Sequence, residues 1–343
     1  LTDLTRDALG WSPFFMSQLD IDELETLTPA RIATVHRDRV VGFSEIGTLE
    51  LTLDPGITTA AVAVGDWVLA APEQYRLIRV LDRKTELSRG TEFHTGEKQL
   101  IAANIDTLFI TTSCNNDFNP ARLERYLALA HDAMITPVIL LTKADQCDDP
   151  DDYVDQARAL GRGLEVIAFD AKSDDVIATL APWCGKGQTV ALTGSSGVGK
   201  TTIANALTGG NALTRDIRED DARGRHTTTG RSLHAMPSGG WLIDTPGMRG
   251  LGLAEVSFGI DATFPEISEL AENCKFRDCA HDSEPGCKVQ AAIAAGEIDP
   301  DRLKRFKKLK RENIQATETI AQARDRSKKL GKHIKSVMKK KGR

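Results

Sequence analysis

The chain has 343 residues, more than the roughly 100 to 200 of a single domain, so two or three domains are expected. An apolar fraction of 41% and a charged fraction of 27% fit globular domains, and no apolar run approaches the ~20 residues that a bilayer-crossing helix needs, so no membrane span is predicted. The net charge of -5 conceals an asymmetry, because Arg302 to Arg343 carries 17 Lys or Arg against three acids, a local +14 that leaves -19 for everything before it.

Leu1 to Gly10 mixes acids with apolar residues and lacks the basic-then-apolar order of a secretory signal. A cytoplasmic location is therefore expected, with processing ahead of Leu1 left open. Residues 1–30 read as an N-terminal extension. Residues 31–98 contain five short β-branched and apolar runs: Arg31 to Val35, Arg39 to Phe43, Thr48 to Leu53, Asp66 to Ala70 and Arg76 to Leu81. Turns fall at Pro55-Gly56 and Val64-Gly65-Asp66. This spacing predicts a small β-barrel, compatible with an oligonucleotide-binding fold and with other five-strand barrels. Few aromatics are available to stack bases, so an RNA-binding surface and a structural spacer stand side by side as alternatives.

Residues 99–253 change to strands separated by helical stretches, the pattern of a central parallel α/β sheet. Ile105 to Thr111, Val138 to Thr142, Glu165 to Phe169, Thr189 to Thr193 and Trp241 to Ile243 read as its strands. Pro120 to Ala133 has helical spacing, with Leu123, Leu127 and Ala130 on one face. Thr142-Lys143-Ala144-Asp145 closes the second of these strands. The carboxylate of Asp145 can accept two N–H bonds from the edge of guanine, which adenine does not offer. The pattern resembles the guanine-specificity motif of GTPases, usually Asn-Lys-x-Asp, with Thr142 in place of the Asn and hence one amide fewer. Taken alone, it is also a common strand-end turn.

Gly194-Ser195-Ser196-Gly197-Val198-Gly199-Lys200-Thr201 matches a phosphate-binding loop and lies after the strand Val190 to Leu192 and before a helix expected over Thr202 to Leu207. Its glycines let backbone N–H groups wrap phosphates, Lys200 reaches the β and γ oxygens, and the hydroxyl of Thr201 binds Mg²⁺. With Thr202 behind it, the loop is the expected nucleotide seat. Asp244-Thr245-Pro246-Gly247 follows the strand Trp241 to Ile243, which places Asp244 where a metal-holding carboxylate belongs and Gly247 N–H toward a γ-phosphate. Between them, Gly224-Arg225-His226-Thr227-Thr228-Thr229 is polar, without the apolar residues that would fix it in a core. Such a stretch can order around Mg²⁺ and a γ-phosphate, with Thr228 or Thr229 as a second hydroxyl ligand, or serve as an ordinary loop. Met248 stands where many GTPases keep a water-orienting Gln, so intrinsic turnover should be slow. His226 is then the candidate for orienting or deprotonating water, against a plain loop residue facing RNA or solvent.

Beyond residue 253 the strand pattern stops. Cys274, Cys279, His281 and Cys287, spaced C-x4-C-x-H-x5-C, supply three thiolates and one imidazole, enough for a closed tetrahedral structural Zn²⁺ site, the alternative being unrelated thiols beside a surface His. A mainly helical zinc-binding domain is expected over 254–315, and a basic tail over 316–343. The Lys-rich end fits a polyphosphate partner, RNA or DNA ahead of an anionic membrane, or else a solvated helix.

The motif order is unusual. The Thr142 to Asp145 loop, and Phe169-Asp170-Ala171-Lys172 as a degenerate last base-binding loop, precede the phosphate loop, which gives the order four, five, one, two, three. In this order, and in the flanking barrel and cysteine cluster, the chain resembles the circularly permuted GTPases and specifically the small-ribosomal-subunit-dependent GTPase A family, over about residues 31–315. The resemblance implies base contacts from Thr142, Lys143, Asp145, Asp170 and Ala171, a His with a catalytic role at His226, and zinc on the four Cys and His ligands. It further implies GTP and GDP as ligands, Mg²⁺ with GTP, binding to the 30S subunit and its 16S rRNA late in maturation, and subunit-stimulated hydrolysis. A monomer is expected. Two other readings remain, an ATPase using the same loop and an RNA-binding scaffold that nucleotide merely stabilises.

Overall fold

The computed structural model describes residues 4–90, 98–210, 231–244 and 256–317. Contacts divide the chain into two units, one of Leu1–Ser88 with Leu100–Gly250 and one of Arg89–Gln99 with Leu251–Arg343.

In the first unit, all five strands expected between residues 31 and 81 form: β1 (Thr28–Val35), β2 (Arg39–Ser44), β3 (Gly47–Leu53), β4 (Trp67–Ala71) and β5 (Arg76–Val80). The pairing runs β1-β2-β3-β5-β4 and returns from β4 to β1, which closes a barrel in which β3 and β5 are parallel. Ala30 and Ile32 on β1 and Val68 and Ala70 on β4 recur at two-residue spacing and meet Val40, Leu51 and Leu77 in the barrel core. The alternate residues of β1, Arg31 and Ala33, are buried as well, so this strand is covered on both faces. A two-stranded ribbon that the periodicity did not predict, β6 (Glu86–Gly90) with β7 (Lys98–Ala103), follows the barrel.

The central sheet contains β8 (Thr107–Ser113), β9 (Thr136–Thr142), β10 (Glu165–Ala168), β11 (Thr189–Gly194) and β13 (Trp241–Asp244) in the order β10-β9-β8-β11-β13, all parallel. Every residue of β8 is buried, as expected of a strand covered on both faces. Chain order moves outward from β8 to β9 and β10, then returns to the other side of β8 for β11. This reversal is a topological switch point at the carboxyl ends of β8 and β11, the place where open α/β sheets bind their ligands. One strand corrects the expectation of a purely parallel sheet: β12 (Ser232–Ala235) pairs antiparallel with β13, its short, half-polar sequence having hidden it from a search for apolar runs. Ser232 of β12 also pairs with Thr34 of β1, so the barrel and the central sheet share one continuous sheet.

The residues before β1 pack into the same unit. Leu9 and Phe15 are fully buried, the Trp11 ring meets Trp67 edge-on at 4.7 Å, and Trp241 Nε1 donates to the Ala8 carbonyl at 2.7 Å. Arg31 joins these parts. Its guanidinium, 1% exposed, donates to Leu9 O (2.6 Å), Asn104 O (3.2 Å) and Thr189 Oγ1 (2.7 Å). Burial lowers its pKa to about 10, with Asp106 opposing the shift, so it stays charged at neutral pH.

The second unit contains helices over Ser257–Thr263, Pro265–Ala271, Lys288–Ala294 and Pro300–Thr317. The last of these runs past the boundary expected at 315, and the tail from 318 onward lies outside the described residues. Ile260, Phe264, Ile267, Val289, Leu303 and Phe306 are buried, with the Phe264 and Phe306 rings 5.4 Å apart. Arg302 lays its guanidinium over Phe264 at 4.5 Å and donates to Thr263 O at 2.9 Å.

Replacing Arg31 with Met strips three acceptors of their donor, two of them backbone carbonyls. The expected loss is about 3 kcal/mol of stability. Urea denaturation reads it, and an unmoved midpoint counts against the junction described.

Candidate nucleotide site and cysteine cluster

The phosphate loop leaves β11 at Gly194, whose backbone has φ +138°. A Cβ there would lie 2.0 Å from the Thr111 carbonyl oxygen of β8, so only glycine lets the two strands approach this closely. At the other end, Gly199 has φ +94° and caps the helix Lys200–Thr208, which starts two residues before the position expected from sequence because Lys200 and Thr201 already lie in its first turn. Val198 is buried and Ser196 and Gly197 are exposed, so the tip of the loop faces solvent. Lys200 Nζ donates to the Gly194 carbonyl at 2.9 Å and also meets Ser195 O, which holds the ammonium along the concave side of the loop. Thr201 is exposed and Thr202 half-buried on the first turn of this helix.

Two further loops meet this one. Thr142, the last residue of β9, is fully buried, and its hydroxyl donates to the Val198 carbonyl at 2.7 Å, with Thr112 O at 3.1 Å as a second acceptor. A Cβ built on Gly199 would lie 3.6 Å from Thr142 Cγ2 and 3.6 Å from Ala171 Cβ. The loop after β9, the Phe169 to Lys172 loop and the phosphate loop therefore lie side by side, although they are separated in the chain. Lys143 takes a left-handed backbone (φ +59°), which swings the chain into a short turn over Ala144–Gln146 and leaves Asp145 exposed on it. Asp170 Oδ1 accepts from Lys172 N at 2.9 Å, which shapes the loop after β10. Asp244 ends β13, one residue after Ile243, which pairs with Ala191 of β11. It thus comes to the same end of the sheet as the phosphate loop. His226, Thr228, Thr229 and Gly247 lie outside the described residues.

In the second unit, the ligand atoms of Cys274, Cys279, His281 and Cys287 all lie within 4.8 Å of one another. Cys274 Sγ and Cys287 Sγ are 3.9 Å apart, and His281 Nδ1 is 3.7 and 3.5 Å from them. Tetrahedral ligands about 2.0 to 2.3 Å from a metal stand about 3.5 to 3.8 Å apart, so this donor set could hold a metal ion. The surroundings act on the donors in opposite senses: burial and the neighbouring thiols push the Cys279 thiol up to about 11. Burial raises the Cys274 thiol, but N–H bonds from Lys288 and Val289 and the neighbouring thiols outweigh it and bring the pKa below its ordinary value. Burial, assisted by the Lys307 ammonium, lowers the His281 pKa and keeps the imidazole neutral. Lys307 also donates to His281 O at 2.8 Å, which fastens the ligand loop to the long last helix.

A family model described as RsgA GTPase matches residues 80–254. A protein of Mesorhizobium japonicum named small ribosomal subunit biogenesis GTPase RsgA is 57% identical over 309 residues, covering 89% of this chain and 89% of its own. Another, from Vibrio vulnificus and named small ribosomal subunit biogenesis GTPase RsgA 2, is 46% identical over 97% of this chain and 95% of its own.

The chain belongs to the RsgA GTPase family.

Two solved structures share its fold. The crystal structure of YjeQ from Thermotoga maritima superposes with a TM-score of 0.62 at 23% identity, over 82% of this chain and 97% of that one. That of YloQ, described as a circularly permuted GTPase, gives 0.60 at 24% identity, over 85% and 96%. The RsgA fold thus has its barrel, its permuted nucleotide domain and a helical region with a Cys/His cluster, as the motif order predicted. Sequence reasoning missed the backbone partners. The motif reads Thr142 as one amide fewer, whereas its hydroxyl donates to Val198 O, and a pattern of side chains along the sequence does not specify which carbonyl each one reaches.

Removing Cys279 as Ser, or adding a chelator, should lower the melting temperature of the helical unit by several degrees. Differential scanning calorimetry with and without chelator checks this, and superposable traces would leave the four ligands as unrelated neighbours.

Proposed function

We propose that this RsgA-family chain is a GTP hydrolase that acts in biogenesis of the small ribosomal subunit, with hydrolysis stimulated by the 30S particle. One observation carries the nucleotide reading: a loop ending in Asp145 lies against the phosphate loop, although it precedes that loop by some 50 residues in the chain. In this reading Gly194 to Gly199 wrap the phosphates, Lys200 reaches the β and γ oxygens, and Thr201, Asp244 and Thr228 or Thr229 surround Mg²⁺. Asp145 selects guanine through its exposed carboxylate, flanked by Lys143, Asp170 and Ala171, and Gly247 N–H meets the γ-phosphate. His226 positions the attacking water, a task Met248 cannot perform.

The domains divide at about residues 30, 98, 253 and 315, and the cysteine cluster holds one structural Zn²⁺, the metal suited to three thiolates and an imidazole. Barrel, zinc region and basic tail together contact 16S rRNA. The chain works as a cytoplasmic monomer. Because the segment after Asp244 leads directly into the helical unit, ordering near a γ-phosphate can be passed to that unit through the covalent chain.

The deciding experiment is GTP hydrolysis measured with and without purified small subunits. A stimulation of tenfold or more is expected, and equal rates in both would refute ribosome-dependent hydrolysis. In the same assay His226→Ala should reduce the stimulated kcat by about 100-fold, within the usual range for loss of an acid–base group, with little change in GTP affinity. Equal single-turnover rates for variant and wild type would remove His226 from the mechanism. Elemental analysis of the purified chain should return one zinc per molecule.

A further inference from the structure

A cavity of about 200 Å³ lies where the N-terminal residues, the barrel and the start of β11 meet. We propose that it binds a small aromatic carboxylate, with the carboxylate between Arg31 Nε and Lys84 Nζ and the ring against Trp11. The site is separate from the nucleotide seat. Thr189, on the cavity wall, is the first residue of β11, and the phosphate loop leaves the other end of that strand at Gly194, about 17 Å further on at the usual rise per residue.

Arg31 lines the cavity and is 1% exposed. Its terminal nitrogens are engaged by Leu9 O, Asn104 O and Thr189 Oγ1, but Nε is buried and has no acceptor among the described residues. A buried N–H without an acceptor is destabilising, and an oxygen placed against this wall relieves it. Lys84 supplies the second donor. Its ammonium stands 5.3 Å from the centre of the Phe15 ring, and among the described residues no carboxylate pairs with it.

Charge and shape then narrow the occupant. Arg31, Lys84 and Lys186 line the cavity together with Asp7 and Asp106, an excess of one positive charge. Lys186 and Asp7 pair at 2.6 Å on exposed side chains and cancel at the rim. Asp106, whose Oδ2 accepts from Thr189 N at 2.7 Å, offsets Arg31. Lys84 is left over, enough for one negative charge, so a carboxylate matches the site better than a doubly charged phosphate. The volume lies below the ~300 to 1,000 Å³ of pockets for drug-sized ligands, which restricts the occupant to a small molecule. The apolar wall is aromatic: the rings of Trp11 and Phe15 are 5.5 Å apart with their planes 33° from parallel, Phe15 buried and Trp11 half-buried. A flat ring can rest on Trp11 while its carboxylate reaches the two cations.

The test titrates the full chain with benzoate by isothermal titration calorimetry, using acetate and inorganic phosphate as comparison probes and recording melting temperatures alongside. Benzoate should bind saturably at one site with Kd of about 1 mM or tighter, and acetate, which lacks the ring, and phosphate should bind at least about tenfold more weakly. Lys84→Met should weaken benzoate about tenfold, the size of one charge-assisted hydrogen bond, at an unchanged melting temperature. Asp106→Asn keeps an oxygen for Thr189 N and removes a negative charge, so it should tighten benzoate several-fold. Both variants leave Arg31 in place, which keeps loss of the site distinct from loss of the fold. Saturating GTP should leave the benzoate affinity unchanged. No saturable heat with benzoate, equal affinity for acetate or phosphate, or wild-type affinity in both variants would overturn the site, and so would displacement of benzoate by GTP, which would put the probe in the nucleotide seat.

Discussion

The nucleotide seat depends on how the chain crosses the carboxyl end of one strand. β9 and β11 flank β8 on opposite sides, and with strands about 4.8 Å apart the loop that leaves β11 must travel about 10 Å sideways to meet the end of β9. It can do so because Gly194 has no side chain to strike the Thr111 carbonyl, which would stand 2.0 Å from a Cβ. On the far side the Thr142 hydroxyl receives it at Val198 O. The loop after β9 and the phosphate loop then lie side by side, whichever of them the chain makes first. A circular permutation leaves such a site intact, since it changes the order of the strands in the chain and leaves their order in the sheet unaltered.

The strand that ends in this loop is also held where it begins. Thr189 donates its backbone N–H to Asp106 at 2.7 Å and accepts Arg31 on its hydroxyl, while Arg31 reaches Leu9 and Asn104 with its other N–H groups. Two of the guanidinium's three nitrogens donate to these acceptors, which ties the barrel, the N-terminal residues and the start of β11 together in one arrangement. The barrel is thereby part of the framework that positions the phosphate loop. The continuous sheet through Thr34 and Ser232 works in the same sense.

The helical unit solves a different problem. Its ligand loop, between Cys274 and Cys287, buries little apolar surface; a metal among four donors less than 4.8 Å apart would supply the folding free energy that the short loop lacks. The N–H groups of Lys288 and Gln290, each 3.4 Å from a sulfur, and Lys307 on the His281 carbonyl orient the donors from behind.

Sequence alone determined what periodicity and spacing encode. Short β-branched and apolar runs broken by turn residues marked the five barrel strands between residues 31 and 81, further apolar runs marked the five parallel strands, and Gly194 to Thr201, Thr142 to Asp145 and the Cys/His spacing marked the candidate chemistry, because these features depend on neighbours close along the chain. The four-residue β12, with only Leu233 buried, and the ribbon of β6 and β7 escaped, since neither carries an apolar period long enough to register. Tertiary structure alone decided which distant groups meet: Arg31 with Thr189, Gly194 with Thr111, Thr142 with Val198. Each is a contact between a side chain, or the lack of one, and a group brought alongside by strand order, and no local pattern specifies which carbonyl will be there.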